Sequence, residues 1–256
     1  MANESPQTRS FEAEWRRRFE RYGQSYGEDH DVSGWSERGL ATRLQVFGSL
    51  YPRMASSRPG RVLDVGCGPG TYGRWLSERG DMTVGLDYSL PSLKRALLKA
   101  PARGRAVYAQ GEAYNLPFRS GVFDAVVCIG VLQTLADEQC AMQEMTRVLR
   151  PQGLLVLDGL NALGFSPLVH WIQRLRDGVW HEVRCYSPFS LRRRLSALGY
   201  DGIRIFPVVI LPLRSGRLTR FLSQAGCLAS FIAHSFFLVA RKGERADQRL
   251  TITSNE

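Results

Sequence analysis

Val62-Leu63-Asp64-Val65-Gly66-Cys67-Gly68-Pro69-Gly70 is the stretch that decides the fold. Residues 61–65 form a short, partly β-branched run, and glycines follow immediately, so the run reads as a strand ending in a sharp turn. A structural turn alone does not need three glycines in five positions. Backbone without Cβ atoms lets a ligand approach closely. In open α/β sheets ligands sit beyond the carboxyl ends of the strands, and this loop falls there.

Outward from the loop, strands and helices alternate. Residues 72–79 predict a helix stopped by Gly80, and residues 82–86 a strand ending at Asp87. Ser89 caps a helix to about Lys99, with Pro91 in its first turn. Residues 105–109 read as a third strand, and 123–129 as a fourth, nearly all apolar and so buried on both faces. A helix over 138–149, ended by Pro151, leads to a fifth strand at 153–157. Beyond these come a helix over 187–198 and strands at 201–206 and 234–241. This order predicts an α/β, Rossmann-like, doubly wound sheet of seven strands, mostly parallel with the last antiparallel. Residues 11–56 carry helical spacing around a Gly/Asp/Ser-rich loop at 23–39. The expected organisation is a helical N-terminal cap over 1–57 with a disordered start (residues 1–10), a ligand-binding core over 58–160, a substrate-side lid with the remaining strands over 161–243, and a disordered tail over 244–256.

Composition narrows the class. Of 256 residues 44% are apolar, which suits a globular domain with a sizeable core. The net charge is +10, and all but three of the 34 basic residues are arginine, scattered along the chain. That charge fits either a compositional habit or attraction to an anionic partner. Five cysteines without a CxxC pair argue against a disulfide framework and against zinc, and suit a reducing cytoplasm. The polar N-terminus carries no apolar leader. Residues 221–240 hold no formal charge, but their polar groups make a membrane span a poor reading; a short helix and a buried strand fit better. Peripheral contact with a membrane is left open.

Asp87 stands 17 residues past Gly70, at the end of the second strand. A carboxylate there accepts both hydroxyls of a ribose, in nicotinamide sites as in others, so it speaks for an adenosine-type ligand. The glycine spacing separates the candidates. A dinucleotide fingerprint needs G-x-G-x-x-G, whereas here Gly66-x-Gly68-x-Gly70 is followed by Thr71.

Residues 62–70 resemble motif I of the class I S-adenosylmethionine (SAM)-dependent methyltransferases, and Val84-Gly85-Leu86-Asp87 resembles motif II. Residues 111–118 are similar to the segment that contacts the adenine, 123–133 resemble motif IV, and 149–156 the turn into the fifth strand. The nearest group is that of the ubiquinone, menaquinone and small-molecule methyltransferases. The resemblance implies SAM as cofactor, with Gly66, Cys67, Gly68 and Gly70 along its methionine part and Asp64 orienting the ammonium group. It implies Asp87 on the ribose, Tyr88 against the adenine, Glu112 or the Ala113 backbone on the adenine amine, and Ile129, Gly130 and Gln133 beside the methyl group. Tyr22 and Tyr26 are expected to close over the cofactor from the cap.

Relatives often carry histidine at or beside the position of Gln133, which leaves a base to be found elsewhere. His181, within Trp180-His181-Glu182-Val183-Arg184-Cys185-Tyr186, is the candidate to take a proton from a hydroxyl nucleophile. The reaction expected is direct displacement on an activated methyl group, so alignment in a dry site matters most, and no metal is required. Apolar and aromatic residues over 11–56, 161–186 and 207–233 suit a small hydrophobic or amphipathic acceptor such as a quinol, a polyketide or a lipid-linked sugar. A nucleic-acid substrate is disfavoured, since Ile129-Gly130-Val131-Leu132 is not the Asp/Asn-Pro-Pro-aromatic motif of amino-directed DNA enzymes. A non-catalytic SAM-binding regulator, an RNA methyltransferase and a nicotinamide oxidoreductase are the rival readings.

Overall fold

A computed structural model describes residues 6–56, 58, 60–101, 105–164, 167, 183–209 and 233–244, with side chains from Phe11 onward. Three helices precede the sheet: α1 (Pro6–Ser25), α2 (Asp29–Val32) and α3 (Glu37–Met54). The core then runs β1 (Arg61–Val65), α4 (Thr71–Glu78), β2 (Met82–Asp87), α5 (Leu90–Leu98), β3 (Ala106–Gln110), β4 (Phe123–Cys128), a 3-10 turn (Leu132–Thr134), α6 (Glu138–Val148) and β5 (Leu149–Leu160). It closes with α7 (Pro188–Ala197), β6 (Tyr200–Val208) and β7 (Ser235–Lys242).

The strands form one seven-stranded sheet in the order β3-β2-β1-β4-β5-β7-β6. β1 to β5 pair in parallel, and β7 inserts antiparallel between β5 and β6. The doubly wound sheet with an antiparallel last strand is therefore as the sequence predicts. Strand order reverses between β1 and β4, which opens a crevice at their carboxyl ends. Alternate residues of each strand feed opposite cores. Leu63, Val126 and Leu155 face Met142 and Leu191 on one side, while Val62, Val127 and Val156 face Phe47, Tyr51 and Leu76 on the other.

Three local expectations change. The helix predicted to begin after residue 10 starts at Pro6. The loop expected over 23–39 contains α2, pinned because the Asp29 carboxylate accepts from Lys99 Nζ at 2.6 Å and Thr71 Oγ1 at 2.6 Å and pairs with Arg74. The fifth strand is much longer than five residues, because β7 pairs with it continuously from Leu154 to Leu160. Its start is irregular, and Gln152 carries a φ of 61°.

The cap is fastened by chemistry that hydropathy patterns do not show. At Gly23 α1 passes so close to α5 that an added Cβ would lie 2.7 Å from the Ser92 amide nitrogen. Basic groups at the end of α5 hold carbonyls in the last turn of α1 and just beyond it, where a helix end leaves acceptors unmet: Arg95 Nε donates to Gly23 at 3.1 Å and Lys99 Nζ, just past α5, to Gly27 at 2.6 Å. α3 begins at a capping serine, Ser36, whose hydroxyl accepts from the Gly39 amide at 3.1 Å. Leu40, Arg43, Phe47, Leu50 and Tyr51 then fall on its buried face at helical spacing. Among the described residues no helix is long and apolar enough to cross a membrane, and the described part of 221–240 ends in β7.

Candidate active site

The loop after β1 is folded by hydrogen bonds to the end of β2. Gly66 and Cys67 amides donate to the Leu86 carbonyl at 2.7 and 3.1 Å. The Gly68 amide donates to Asp87 Oδ2 at 2.8 Å, and the Ser89 amide to Asp87 Oδ1 at 2.8 Å. Gly66 is turned to a φ of 69°, and a Cβ there would lie 2.2 Å from Val131 Cγ2, so only glycine lets the loop meet the segment after β4. At Gly68 a Cβ would meet nothing nearer than Ser33 Oγ at 3.9 Å, so that backbone faces open space.

That space is a cavity of about 1010 Å³, counting the part open to solvent at its mouth. Of the residues expected to hold a ligand, Gly66, Cys67, Gly68, Asp87, Tyr88, Glu112, Ala113, Ile129 and Gly130 all line it. Residues from four strand ends and two connecting loops thus converge on one place.

Five expected residues are absent from the described lining. Asp64 lies beneath the loop, 1% exposed, facing the start of α4 near Gly73. Gly70 turns away, and a Cβ on it would meet the Tyr108 hydroxyl at 2.7 Å; its φ of 78° starts α4. Gln133 is folded inward in the 3-10 turn, 5% exposed. Tyr22 and Tyr26 do not cover the cavity either. Tyr22 accepts from Arg18 Nε at 2.7 Å, and Tyr26 is exposed beyond the end of α1. The residues of α1 in the wall are Glu12, Trp15, Arg16 and Phe19, one helical face at i, i+3, i+4 and i+7. His181 and the expected acceptor residues Trp171, Trp180 and Phe221 lie outside the described residues.

Glu112 is fixed in the wall from the cap side. Arg16 grips it through two bonds, Nη1 to Oε1 at 2.8 Å and Nη2 to Oε2 at 2.5 Å, and the same guanidinium stacks over Tyr88 at 4.7 Å. One turn earlier Glu12 Oε1 accepts from the Tyr114 hydroxyl and from the Ala136 amide at 3.1 Å. α1 is thus strapped across the mouth by Arg16 and Glu12, with the stacked rings of Trp15 and Phe19 between. Phe11, Trp15 and Phe19 recur at helical spacing in the sequence, but which surface that face covers is set by the docking of α1 on α5.

A second cluster, missed from sequence, lies behind Trp35 and Gly130. Arg43 and Asp158 are fully buried and form an ion pair. Asp158 Oδ1 also accepts from the Gly130 amide at 2.6 Å, fixing the turn after β4. The Arg43 guanidinium stacks on Trp35 at 3.8 Å, and Trp35 lines the cavity. No local motif announces this pair, which is brought together by α3 packing on β5.

Burial shapes the electrostatics. The Asp64 carboxyl is pushed up to about 7, by burial first and then by the Asp87 charge. Burial likewise raises Asp87 to about 6, against the lowering effect of the Ser89 and Gly68 amides. The Cys67 and Cys128 thiols, both buried, are pushed well above the usual range and remain protonated. Such carboxyls accept hydrogen bonds from a ligand more strongly once ligand donors neutralise the cost of burying charge.

Residues 63–157 match a family model described as a methyltransferase domain. Among curated proteins, the demethylmenaquinone methyltransferase of Thermus thermophilus is 41% identical over 128 residues, 46% of this chain and 58% of that protein. The ubiquinone biosynthesis O-methyltransferase of Idiomarina loihiensis is 29% identical over 60% of this chain and 67% of its own length. A malonyl-[acyl-carrier protein] O-methyltransferase of Pseudescherichia vulneris is 30% identical over 58% and 57%. The matches thus span only some 57–67% of these three relatives. Among solved structures, a SAM-dependent methyltransferase of Thermotoga maritima superposes with a TM-score of 0.64 at 18% identity, covering 89% of this chain and 99% of that one. The magnesium protoporphyrin IX methyltransferase of Synechocystis, with bound S-adenosylhomocysteine, gives 0.60 at 15% identity over 91% and 100%. At such identities the superpositions speak for the fold.

Proposed function

We propose that the chain, whose residues 63–157 match a methyltransferase domain, is a class I SAM-dependent methyltransferase that transfers the methyl group of SAM to an oxygen or nitrogen atom of a small hydrophobic or amphipathic acceptor. The observation that carries this reading is the convergence of the Gly66–Gly68 backbone, Asp87 and the α1 face on one cavity. The residues fit the cofactor. Gly68 offers bare backbone to open space, and both Asp87 oxygens, already fixed by backbone amides, keep lone pairs for the two ribose hydroxyls. Tyr88, with Arg16 stacked on it, forms a flat wall for an adenine. The Glu112 carboxylate, oriented by Arg16 but with a lone pair left on each oxygen, and the Ala113 backbone are the two acceptors for the adenine amine.

SAM, when bound, supplies a methyl group already activated by a sulfonium charge. The protein's part is alignment and exclusion of water. Asp158 holds the Gly130 amide and so sets the course of residues 129–131 along the cavity. α1 closes the mouth, and Val131, Thr134 and Leu135 line the region open to an acceptor. That lining, with Trp15, Phe19 and Leu40, favours an apolar acceptor body. The names of the relatives point to quinone precursors and to a malonyl carboxylate, and a quinol-type hydroxyl suits the apolar wall better. His181 remains the candidate base for such a hydroxyl.

The test is calorimetric binding of S-adenosylhomocysteine, followed by methyl transfer to a panel of soluble quinols, malonyl thioesters and short RNA. Removing the two charge-assisted bonds of Asp87 in Asp87→Ala is expected to weaken binding about a hundredfold. Equal binding by both proteins would sink the site; transfer to RNA alone would replace the acceptor class.

A further inference from the structure

The cavity wall also includes Ser33, Trp35, Thr71 and Tyr72, around the start of α4. Tyr72 is the second residue of α4 and only 7% exposed, yet among the described residues its hydroxyl has no hydrogen-bond partner. Its ring is wedged edge-on against Phe47, with centroids 5.2 Å apart, so the hydroxyl cannot swing out to water. A buried hydroxyl left unmet is costly, and proteins retain one mainly where something else supplies the partner. Burial raises the Tyr72 phenol far above its ordinary value, so the group stays protonated and is available as a neutral donor.

Other donors share this part of the wall. The first turn of α4 contains no acidic residue, and the leading amides of a helix have no partner within it. Arg43, behind the Trp35 ring, spends one nitrogen on Asp158, and Nε and Nη2 have no partner among the described residues. The nearby acids do not oppose an anion fully: Asp158 is paired with Arg43 and the Gly130 amide, and Asp64 lies below the loop. What the group lacks is an acceptor carrying negative charge.

We propose that Tyr72 Oη donates a hydrogen bond to the amino-acid carboxylate of the cofactor, with the first amides of α4 facing the same group and Arg43 supplying positive charge from behind Trp35. The proposal rests on the reading of the cavity as a SAM site. It makes Tyr72 a cofactor-binding residue specific to the amino-acid end of the ligand.

The experiment compares two probes by titration calorimetry on wild type and Tyr72→Phe: S-adenosylhomocysteine, which carries the carboxylate, and 5′-methylthioadenosine, which keeps the adenosine thioether without the amino acid. Tyr72→Phe is expected to bind S-adenosylhomocysteine about tenfold more weakly and 5′-methylthioadenosine as well as wild type does. Because the deleted hydroxyl has no partner among the described residues, the ligand-free variant is also expected to melt no lower than wild type, and its ligand-induced rise in Tm to shrink. Unchanged affinity for S-adenosylhomocysteine, or an equal loss for both probes, overturns the proposal while leaving the SAM site standing. Failure of wild type to bind either probe overturns both together.

Discussion

Two glycines of one loop should fail in different ways when each is given a single methyl group. Gly66 and Gly68 both hold positive φ, 69° and 52°, where a non-glycine residue costs about 1–2 kcal/mol. At Gly68 the new Cβ would enter open cavity, 3.9 Å from Ser33 Oγ, with no clash to add. At Gly66 it would lie 2.2 Å from Val131 Cγ2, an overlap that must be relieved by moving a packed side chain, about 1–3 kcal/mol more. Gly68→Ala is therefore expected to lose about 1–2 kcal/mol of stability in urea melts and most of its affinity for S-adenosylhomocysteine. Gly66→Ala should lose about 2–5 kcal/mol. Adding Val131→Ala to Gly66→Ala should return the overlap share and leave the φ share, so the double variant is more stable than the sum of the single effects predicts. Strict additivity, or a Gly68→Ala that melts as low as Gly66→Ala while still binding ligand, would refute the geometry assigned to the loop.

Other outcomes follow from the same structure. Asp158→Ala strands Arg43 without a counter-charge in a site sealed from water, and should cost about 3–5 kcal/mol, measured by urea denaturation; replacing both with Arg43→Met and Asp158→Leu should return most of it. Arg16→Ala breaks a bond pair whose side chains are 39% and 44% exposed, so stability should fall by less than about 1 kcal/mol, while release of S-adenosylhomocysteine in stopped flow should quicken as the α1 strap loosens. Asp64 and Asp87, raised to about 7 and about 6 in the folded protein, favour the protonated form there more than in the unfolded chain. Their contribution to ligand-free stability is full below about pH 4 and is lost as pH rises through 6 and 7. Asp64→Asn should flatten that decline in Tm, and an unchanged slope would refute the assignment.

What was readable beforehand was what local sequence carries. The loop from Asp64 to Gly70 and the carboxylate of Asp87 follow from glycine spacing and position after a strand, and both lie where the strand order reverses. Trp15 and Phe19 were placed on one face by periodicity, but not over the cavity, because that depends on Gly23 seating α1 against α5. Tyr22 and Tyr26 looked equally suited, and one further turn of helix carries them past the opening. Arg43 and Asp158 are 115 residues apart, and neither stands in a motif; only the packing of α3 on the sheet makes them neighbours. Glu112 shows the converse: its segment was identified, but the partner that occupies it, Arg16, is 96 residues away.

Nearly a third of the described cavity wall comes from chain that precedes the family match at residues 63–157: Glu12, Trp15, Arg16 and Phe19 from α1, Val32 and Ser33 at the end of α2, Trp35 before α3 and Leu40 within it. A fragment trimmed to the matched boundaries would keep the glycine loop and Asp87 and present them to bulk water as an open shelf. Grafting works in the opposite direction. The first 56 residues touch the ligand space without contributing a strand to the sheet, so exchanging them between relatives offers a way to alter which acceptor is admitted while the cofactor end stays as it is.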